Sequence, residues 1–180
     1  MEAGRDIITP GMMFRFYSFP VLILLAMGCG SESFTEVEKT RSSLLPGFES
    51  YASREEVMAK LPDGAEKTVV EAKSLTRDDG TPPYSTYTIS VSPYTHLDQP
   101  GRLLITFYNN RLLQTAFYPD RFHDYLSALR KNGVDLRFAL ELVKGHTVIW
   151  IGIDFDKKDY VGWADKRLRE QQRRWLALYN

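Results

Sequence analysis

The chain has 180 residues, which is enough for one ordinary domain with a hydrophobic core of its own. Its 23 Lys and Arg residues balance 23 Asp and Glu residues, so the overall charge gives no reason to expect binding to nucleic acid or another polyanion. The single cysteine, Cys29, excludes an intramolecular disulfide, and a domain of this length does not need one to fold.

The N-terminal segment is typical of an export signal. Residues 16–28 read FYSFPVLILLAMG, an apolar run that is too short to span a bilayer as a helix but fits the core of a signal peptide. Arg15 supplies the positive charge expected before such a core, although the stretch before it also contains two acids. We therefore predict a signal peptide over residues 1–28, whose true start is Met12 or Met13.

Cys29 directly follows this apolar run. The residues LAMGC at 25–29 resemble the lipobox of bacterial lipoproteins, in which the cysteine sulfur receives diacylglycerol before cleavage. Ala26 and Gly28 also suit ordinary signal peptidase, which would release a soluble periplasmic protein. We predict lipidation at Cys29, with soluble export and a retained anchor as alternatives. Three acyl chains would hold the protein permanently, since each buried methylene contributes about 0.8 kcal/mol.

The chain after the signal divides into a tether and a domain. Residues 29–50 are rich in serine and glutamate, which is typical of a flexible tether. Residues 51–180 are predicted to form a single α+β domain, an antiparallel sheet covered by a few helices. Its first helix starts at a capping box of Ser53 and Glu56 and ends at Pro62. Such a short helix must pack on something to be stable, and a sheet is the expected partner.

Alternation of apolar and polar side chains predicts the strands of this sheet. Residues 86–92 alternate strictly and form the clearest strand. Residues 102–108 and 111–118 are predicted to form a hairpin, because the two asparagines between them tolerate the positive φ of a two-residue turn. Residues 68–75 are a weaker strand candidate.

Helical periodicity follows this hairpin. Asp120 is the expected N-cap of a helix that carries Tyr125 and Leu129 on its apolar face, and Gly133 is placed for its C-terminal cap. Residues 136–143 fit both a helical stripe and a strand, and we favour a strand that turns into a β-rich stretch at 147–155.

The C-terminal residues, 163–180, are predicted to be helical. Their composition favours a helix, with Asp165 early and two arginines late, as the helix dipole prefers.

The sequence contains no recognisable catalytic signature. The three histidines, His96, His123 and His146, lack metal-ligand spacing, so solvated or capping roles are expected for them. The acidic sequence DFDKKDY at 154–160 lacks the glycine and the distal glutamate of a calcium loop. We therefore predict no catalytic residue, no metal and no cofactor.

The C-terminal helix is the best candidate for an interaction surface. Arginine and tryptophan are favoured at the centres of interfaces, so the arginines of this helix and the three tryptophans, Trp150, Trp163 and Trp175, are candidates. The interaction residues that we predict among them are Arg169, Arg173, Arg174 and Trp163. The partner would be a protein or an anionic lipid. The alternative is an ordinary docked helix with a solvated basic face.

The order of these features resembles a known family. A lipobox-like leader, a polar tether, a short helix from Ser53 to Leu61 and the hairpin sequence LLITFYNNRLL follow one another. Over about residues 48–118 this plan resembles the SmpA/OmlA (BamE-like) small bacterial envelope lipoproteins. That family packs two helices against a three-stranded antiparallel sheet and helps outer-membrane protein assembly. The resemblance implies an architecture, and it transfers no functional residues to this chain.

Taken together, the sequence predicts a non-enzymatic envelope lipoprotein that acts as a binding or assembly adaptor for an envelope protein partner. Glycine after Cys29 favours the outer membrane, facing the periplasm, under the sorting rule of enteric bacteria. The alternative is a periplasmic carrier for a small molecule or lipid, and a hydrolase comes third. An enclosed apolar cavity would favour the carrier, whereas a filled core beneath an exposed aromatic and basic patch would favour the adaptor.

Overall fold

The structure is a computed structural model that describes Phe34, Thr35 and residues 40–137 and 141–180. The predicted signal peptide, the lipidation site at Cys29 and tether residues 30–33 and 36–39 lie outside the described residues. Among those described, no helix has both the length and the apolar character needed to cross a bilayer.

One antiparallel sheet of seven strands dominates the described part of the chain. The strands are β1 (Glu66–Leu75), β2 (Tyr84–His96), β3 (Gln99–Tyr108), β4 (Arg111–Pro119), β5 (Glu141–Lys144), β6 (Thr147–Ile153) and β7 (Asp159–Asp165). Their order across the sheet is β1-β2-β3-β4-β7-β6-β5. Two meanders, β1 to β4 and β5 to β7, are therefore joined edge to edge where β4 pairs with β7.

The described residues also form three helices. They are α1 (Arg54–Met58), α2 (Phe122–Lys131) and α3 (Lys166–Tyr179). The antiparallel sheet and the C-terminal helix confirm the predicted α+β class, with the sheet as the larger component.

Local sequence signals explain several element boundaries. Ser53 Oγ accepts from the Glu56 backbone N–H at 3.2 Å, and Glu56 Oε2 accepts from the Ser53 backbone N–H at 2.7 Å, which confirms the capping box. Asn109 and Asn110 have φ values of 48° and 58°, as the predicted two-residue hairpin turn requires. Gly133 has a φ of 79° and follows α2, in agreement with its predicted capping role.

Two predicted helix starts differ from the structure. The N-cap of α2 is Arg121, without a side-chain bond, because the Asp120 backbone N–H donates to the Pro100 carbonyl and keeps Asp120 at the end of the hairpin. Residues 163–165 belong to β7, since Trp163 pairs with Thr115 of β4 and Ile149 of β6. The helix therefore begins after Asp165, which is its N-cap.

The ambiguous stretch 136–143 is partly described. Residues 141–143 belong to β5, in agreement with the favoured strand, and Leu136 and Arg137 precede it outside any helix or strand. Residues 138–140 lie outside the described part.

The sheet carries a packed core on each face. On the first face, α1 and α2 pack their buried Val57 and Leu129 over strand residues such as Leu103 and Ile105. On the opposite face, which we call the α3 face, Leu168 and Trp175 of α3 are buried in a smaller cluster, with Tyr84, Tyr108 and Leu113 of the sheet. Each core is closed by helices, which is why β3 carries apolar residues on both sides.

The folded part begins earlier than residue 51. Leu44, Leu45 and Phe48, which composition placed in the tether, are buried in the first core. The Leu112 backbone N–H also donates to the Ala52 carbonyl, so this segment is attached to β4.

Candidate functional site

The start of α3 is fixed by a buried carboxylate. Asp165 is fully buried, and its Oδ2 accepts from Ser50 Oγ at 2.8 Å and from Arg167 Nη2 at 2.7 Å. Its Oδ1 accepts from the Arg167 backbone N–H at 2.9 Å and so caps the helix. Burial alone would raise the pKa of Asp165, but the bonds from Arg167 and Ser50 outweigh it and hold this pKa below its ordinary value. The first turn of α3 is therefore rigidly positioned on the sheet.

This position brings Arg169 onto an aromatic side chain of the sheet. The Arg169 guanidinium carbon lies 4.9 Å from the ring centroid of Trp150 on β6, a cation–π arrangement. Both side chains are partly exposed. Trp150 lies opposite Gly162 of β7, where an added Cβ would clash with the indole ring. The glycine thus allows the ring to lie against the backbone.

A basic groove lies beside this pair. We call it the α3 groove; its volume is about 420 Å³, and the described residues that line it are Glu141, Val148, Lys166, Arg167, Arg169, Glu170 and Arg173. The lining therefore contains four basic and two acidic side chains. The arrangement suits a ligand that carries negative charge, because the excess of cations is concentrated on one side of α3.

The predicted interaction residues do not all lie in the α3 groove. Arg169 and Arg173 lie together in the α3 groove, and Arg173 Nη1 is 4.0 Å from Glu170 Oε2. Arg174 is exposed and is placed 3.4 Å from Glu170 Oε1, outside the residues that line the groove.

Trp163 does not belong to this surface. It is 3% exposed and lies in the first core, on the face of the sheet opposite to α3. Because Trp163 is in a strand, its neighbour Gly162 faces α3 instead. Of the four predicted residues, Arg169 contacts a tryptophan of the sheet, and that tryptophan is Trp150.

An aromatic pair extends the same face and was not predicted. Tyr118 of β4 and Tyr160 of β7 stack with their ring centroids 5.0 Å apart and their planes inclined at 30°. The guanidinium of Arg102 lies 4.5 Å from the Tyr118 ring centroid. Tyr160 lies opposite Gly152, as Trp150 lies opposite Gly162. Glycines within β-rich segments could have indicated that rings lie over the backbone at these places.

The three histidines have different environments. His123 and His146 are exposed, as expected. His96, by contrast, is 8% exposed at the end of β2, and burial lowers its pKa to about 4. Its Nδ1 lies 2.6 Å from the hydroxyl oxygen of Tyr125.

The tautomer of His96 follows from this single bond. If Tyr125 donates its hydroxyl proton to Nδ1, then Nε2 carries the ring proton and is the one polar group of this His96–Tyr125 pair without a hydrogen-bond partner among the described residues. If Nδ1 donated instead, both the Tyr125 proton and Nε2 would lack a partner. The first arrangement leaves fewer buried groups unsatisfied, so it is favoured.

Metal binding and known relatives give no further guide. Within residues 40–137 and 141–180, together with Phe34 and Thr35, no three His, Cys, Asp or Glu side chains are grouped to hold a metal ion. Comparison with known protein families and with curated proteins finds no match to this chain. What describes the α3 groove is therefore its own geometry, an excess of cations beside the Arg169–Trp150 contact.

Proposed function

We propose that this protein is a non-enzymatic lipoprotein of the bacterial cell envelope whose domain binds a partner protein through the α3 groove. Acylated Cys29 would hold it in the outer membrane, facing the periplasm. The apolar run before Cys29 supports export, and the position of the cysteine supports lipidation. The resemblance to SmpA/OmlA lipoproteins stays a prediction within this proposal.

The contact between Arg169 and Trp150 is the observation that carries the binding function. The two residue types are the ones most enriched at energetically important positions of protein interfaces. Here they are already in contact, so a partner would not have to order them. Arg173 and Lys166 add positive charge on the same groove.

The groove favours an acidic protein segment over a lipid surface. Glu141 and Glu170 lie among the cations, and they would repel the phosphates of a bilayer. A protein segment can instead place its acidic residues beside the cations and away from these two glutamates. The rings of Tyr118 and Tyr160, on the same face of the sheet as Trp150, offer aromatic area for the apolar side chains of such a segment. We therefore infer that the partner presents an acidic segment flanked by apolar residues.

Site-specific crosslinking in intact cells tests the binding surface. A photo-crosslinking amino acid at Glu141, which is exposed and lines the groove, should give a discrete adduct with one envelope protein. The double change Arg169→Glu and Arg173→Glu should abolish that adduct. The matched change Lys67→Glu and Arg77→Glu, on exposed residues in and just after β1 at the other edge of the sheet, should leave it intact. An adduct that survives the Arg169 and Arg173 changes would contradict this surface.

The anchor is tested separately. Cys29→Ser should abolish acyl labelling and move the protein from the outer-membrane fraction to the periplasmic fraction. A wild-type protein that takes up no label would instead support soluble export, and the crosslinking result would still decide the binding function.

A further inference from the structure

The first face of the sheet has a cleft that is unrelated to the α3 groove. It lies between the C-terminal end of α2, the turn between β5 and β6, and the segment around Leu44, and its volume is about 560 Å³. We call it the His96 cleft, since His96 is one of the residues that line it. The cleft is open to solvent, so it is not the enclosed cavity that would by itself favour a carrier.

The inner wall of the His96 cleft is apolar. Leu44, Leu129, Ile149 and Trp163 line it, and each of these side chains is no more than 4% exposed. Aliphatic and aromatic side chains at the base of a concave site accommodate an apolar ligand body.

The mouth of the cleft carries the positive charge of Lys144. His146 lies at the mouth as well, and both side chains are exposed. Among the described residues that line the cleft there is no Asp or Glu. The charge of the site is therefore of one sign, unlike the mixed charge of the α3 groove.

Lys144 is held in place by the turn that follows α2. Its Nζ donates to the Gly133 carbonyl at 2.7 Å, which links β5 to the C-terminal end of α2 across the mouth. An ammonium group has three N–H donors, and this bond uses one of them. The other two can reach an oxygen of a ligand without a further loss of side-chain freedom.

The opposite wall is fixed as well. Thr147 Oγ1 donates to the Ser43 carbonyl at 2.7 Å, so the segment that carries Leu44 is attached to the start of β6. Both walls of the cleft are thus connected to the same turn, and the cleft exists without a ligand.

We propose that the His96 cleft binds a small monocarboxylate with an apolar body. The body packs on Trp163 and Leu129, and the carboxylate pairs with Lys144 and His146 at the mouth. Charge complementarity selects the anion, and the apolar wall selects against small hydrophilic acids. This site does not depend on the function proposed for the α3 groove.

Octanoate is a suitable probe, with octanamide and octylamine as matched neutral and cationic molecules. The full chain is titrated with each, and backbone amide signals are followed by NMR. Octanoate should bind saturably and shift the signals of cleft residues such as Leu129, Val134 and Thr147. Octanamide should bind with an affinity that is lower by about tenfold or more, since it keeps the apolar body and loses the charge. Octylamine should not bind.

The charge of the mouth is then reversed. Lys144→Glu with His146→Glu should reduce octanoate affinity by about tenfold or more and leave the weak octanamide binding unchanged. Lys157→Glu with His123→Glu makes the same two kinds of change on exposed residues outside the cleft, and this control should bind octanoate as the wild type does. If the first pair prevents folding, Lys144→Gln with His146→Gln should still give a smaller loss.

Three results would overturn this assignment: no saturable binding of octanoate, equal binding of octanoate and octanamide, or shifts confined to residues outside the cleft. Unchanged octanoate affinity in the folded Lys144 and His146 variants would also overturn it. None of these results bears on crosslinking from Glu141.

Discussion

The indole ring of Trp150 lies against Gly162 on the neighbouring strand, and no larger residue fits beneath it. Gly162→Ala should therefore displace Trp150 and break its contact with Arg169. We expect a loss of about 1–3 kcal/mol in the free energy of unfolding, the usual cost of overpacking, together with a changed tryptophan emission. Denaturant unfolding measures the free energy, and fluorescence measures the emission.

Gly64→Ala is the control for Gly162→Ala, because an added Cβ meets nothing within 4 Å there. An unchanged emission in Gly162→Ala would show that the ring does not depend on this glycine.

The carboxylate of Asp165 should contribute strongly to stability. Asp165→Asn keeps the shape but removes the charge that faces Arg167 and Ser50, so unfolding should become easier by about 1–3 kcal/mol. Asp159→Asn, an exposed change at the start of β7, should have little effect.

The stabilisation by Asp165 should also depend on pH. Because the folded pKa of Asp165 lies below its ordinary value of 3.8, its contribution to the free energy of unfolding is present above that pH and is lost as the pH falls through the folded pKa. Equal stabilities of the two variants at neutral pH would contradict the prediction.

His96 should make stability depend on pH in a higher range. Its pKa is lowered from 6.5 to about 4, so the unfolded chain binds the proton more readily than the folded chain does. The contribution of neutral His96 to the free energy of unfolding is therefore complete above pH 6.5 and declines as the pH falls toward 4. Through this group the protein should lose roughly 2 kcal/mol between pH 7 and pH 5.

His96→Gln should flatten this dependence, whereas His123→Gln, on an exposed side chain, should leave it as in the wild type. Urea unfolding at several pH values gives the comparison. Parallel curves for the wild type and His96→Gln would show that His96 is not buried in its neutral form.

The hydroxyl of Tyr125 should determine the tautomer of His96. Long-range ¹H–¹⁵N NMR should show the proton on Nε2 in the wild type, since the favoured arrangement has Nδ1 accept from the Tyr125 hydroxyl, whose oxygen is 2.6 Å away. Tyr125→Phe removes the donor and should cost about 1–3 kcal/mol, the range for leaving a buried polar group unsatisfied. Detection of the proton on Nδ1 in the wild type would reverse the assigned donor and acceptor.

Much of the fold could be predicted because the signals are local. The capping box at Ser53, the asparagine turn at 109–110 and the alternation of residues 86–92 each depend on side chains a few positions apart. At residues 163–165 composition favours a helix, whereas pairing with β4 and β6 makes them a strand. Such pairing joins residues far apart in the chain, and no local pattern reports it.

The same distinction applies to the candidate site. By itself the sequence determined that arginines accumulate on the last helix and that one cysteine follows an apolar run. Only the tertiary structure decided that Trp150 rather than Trp163 meets Arg169, and that His96 is buried. The physical reason is that a strand sends successive side chains to opposite faces, so the packing of α3 on one face selects which tryptophan it contacts.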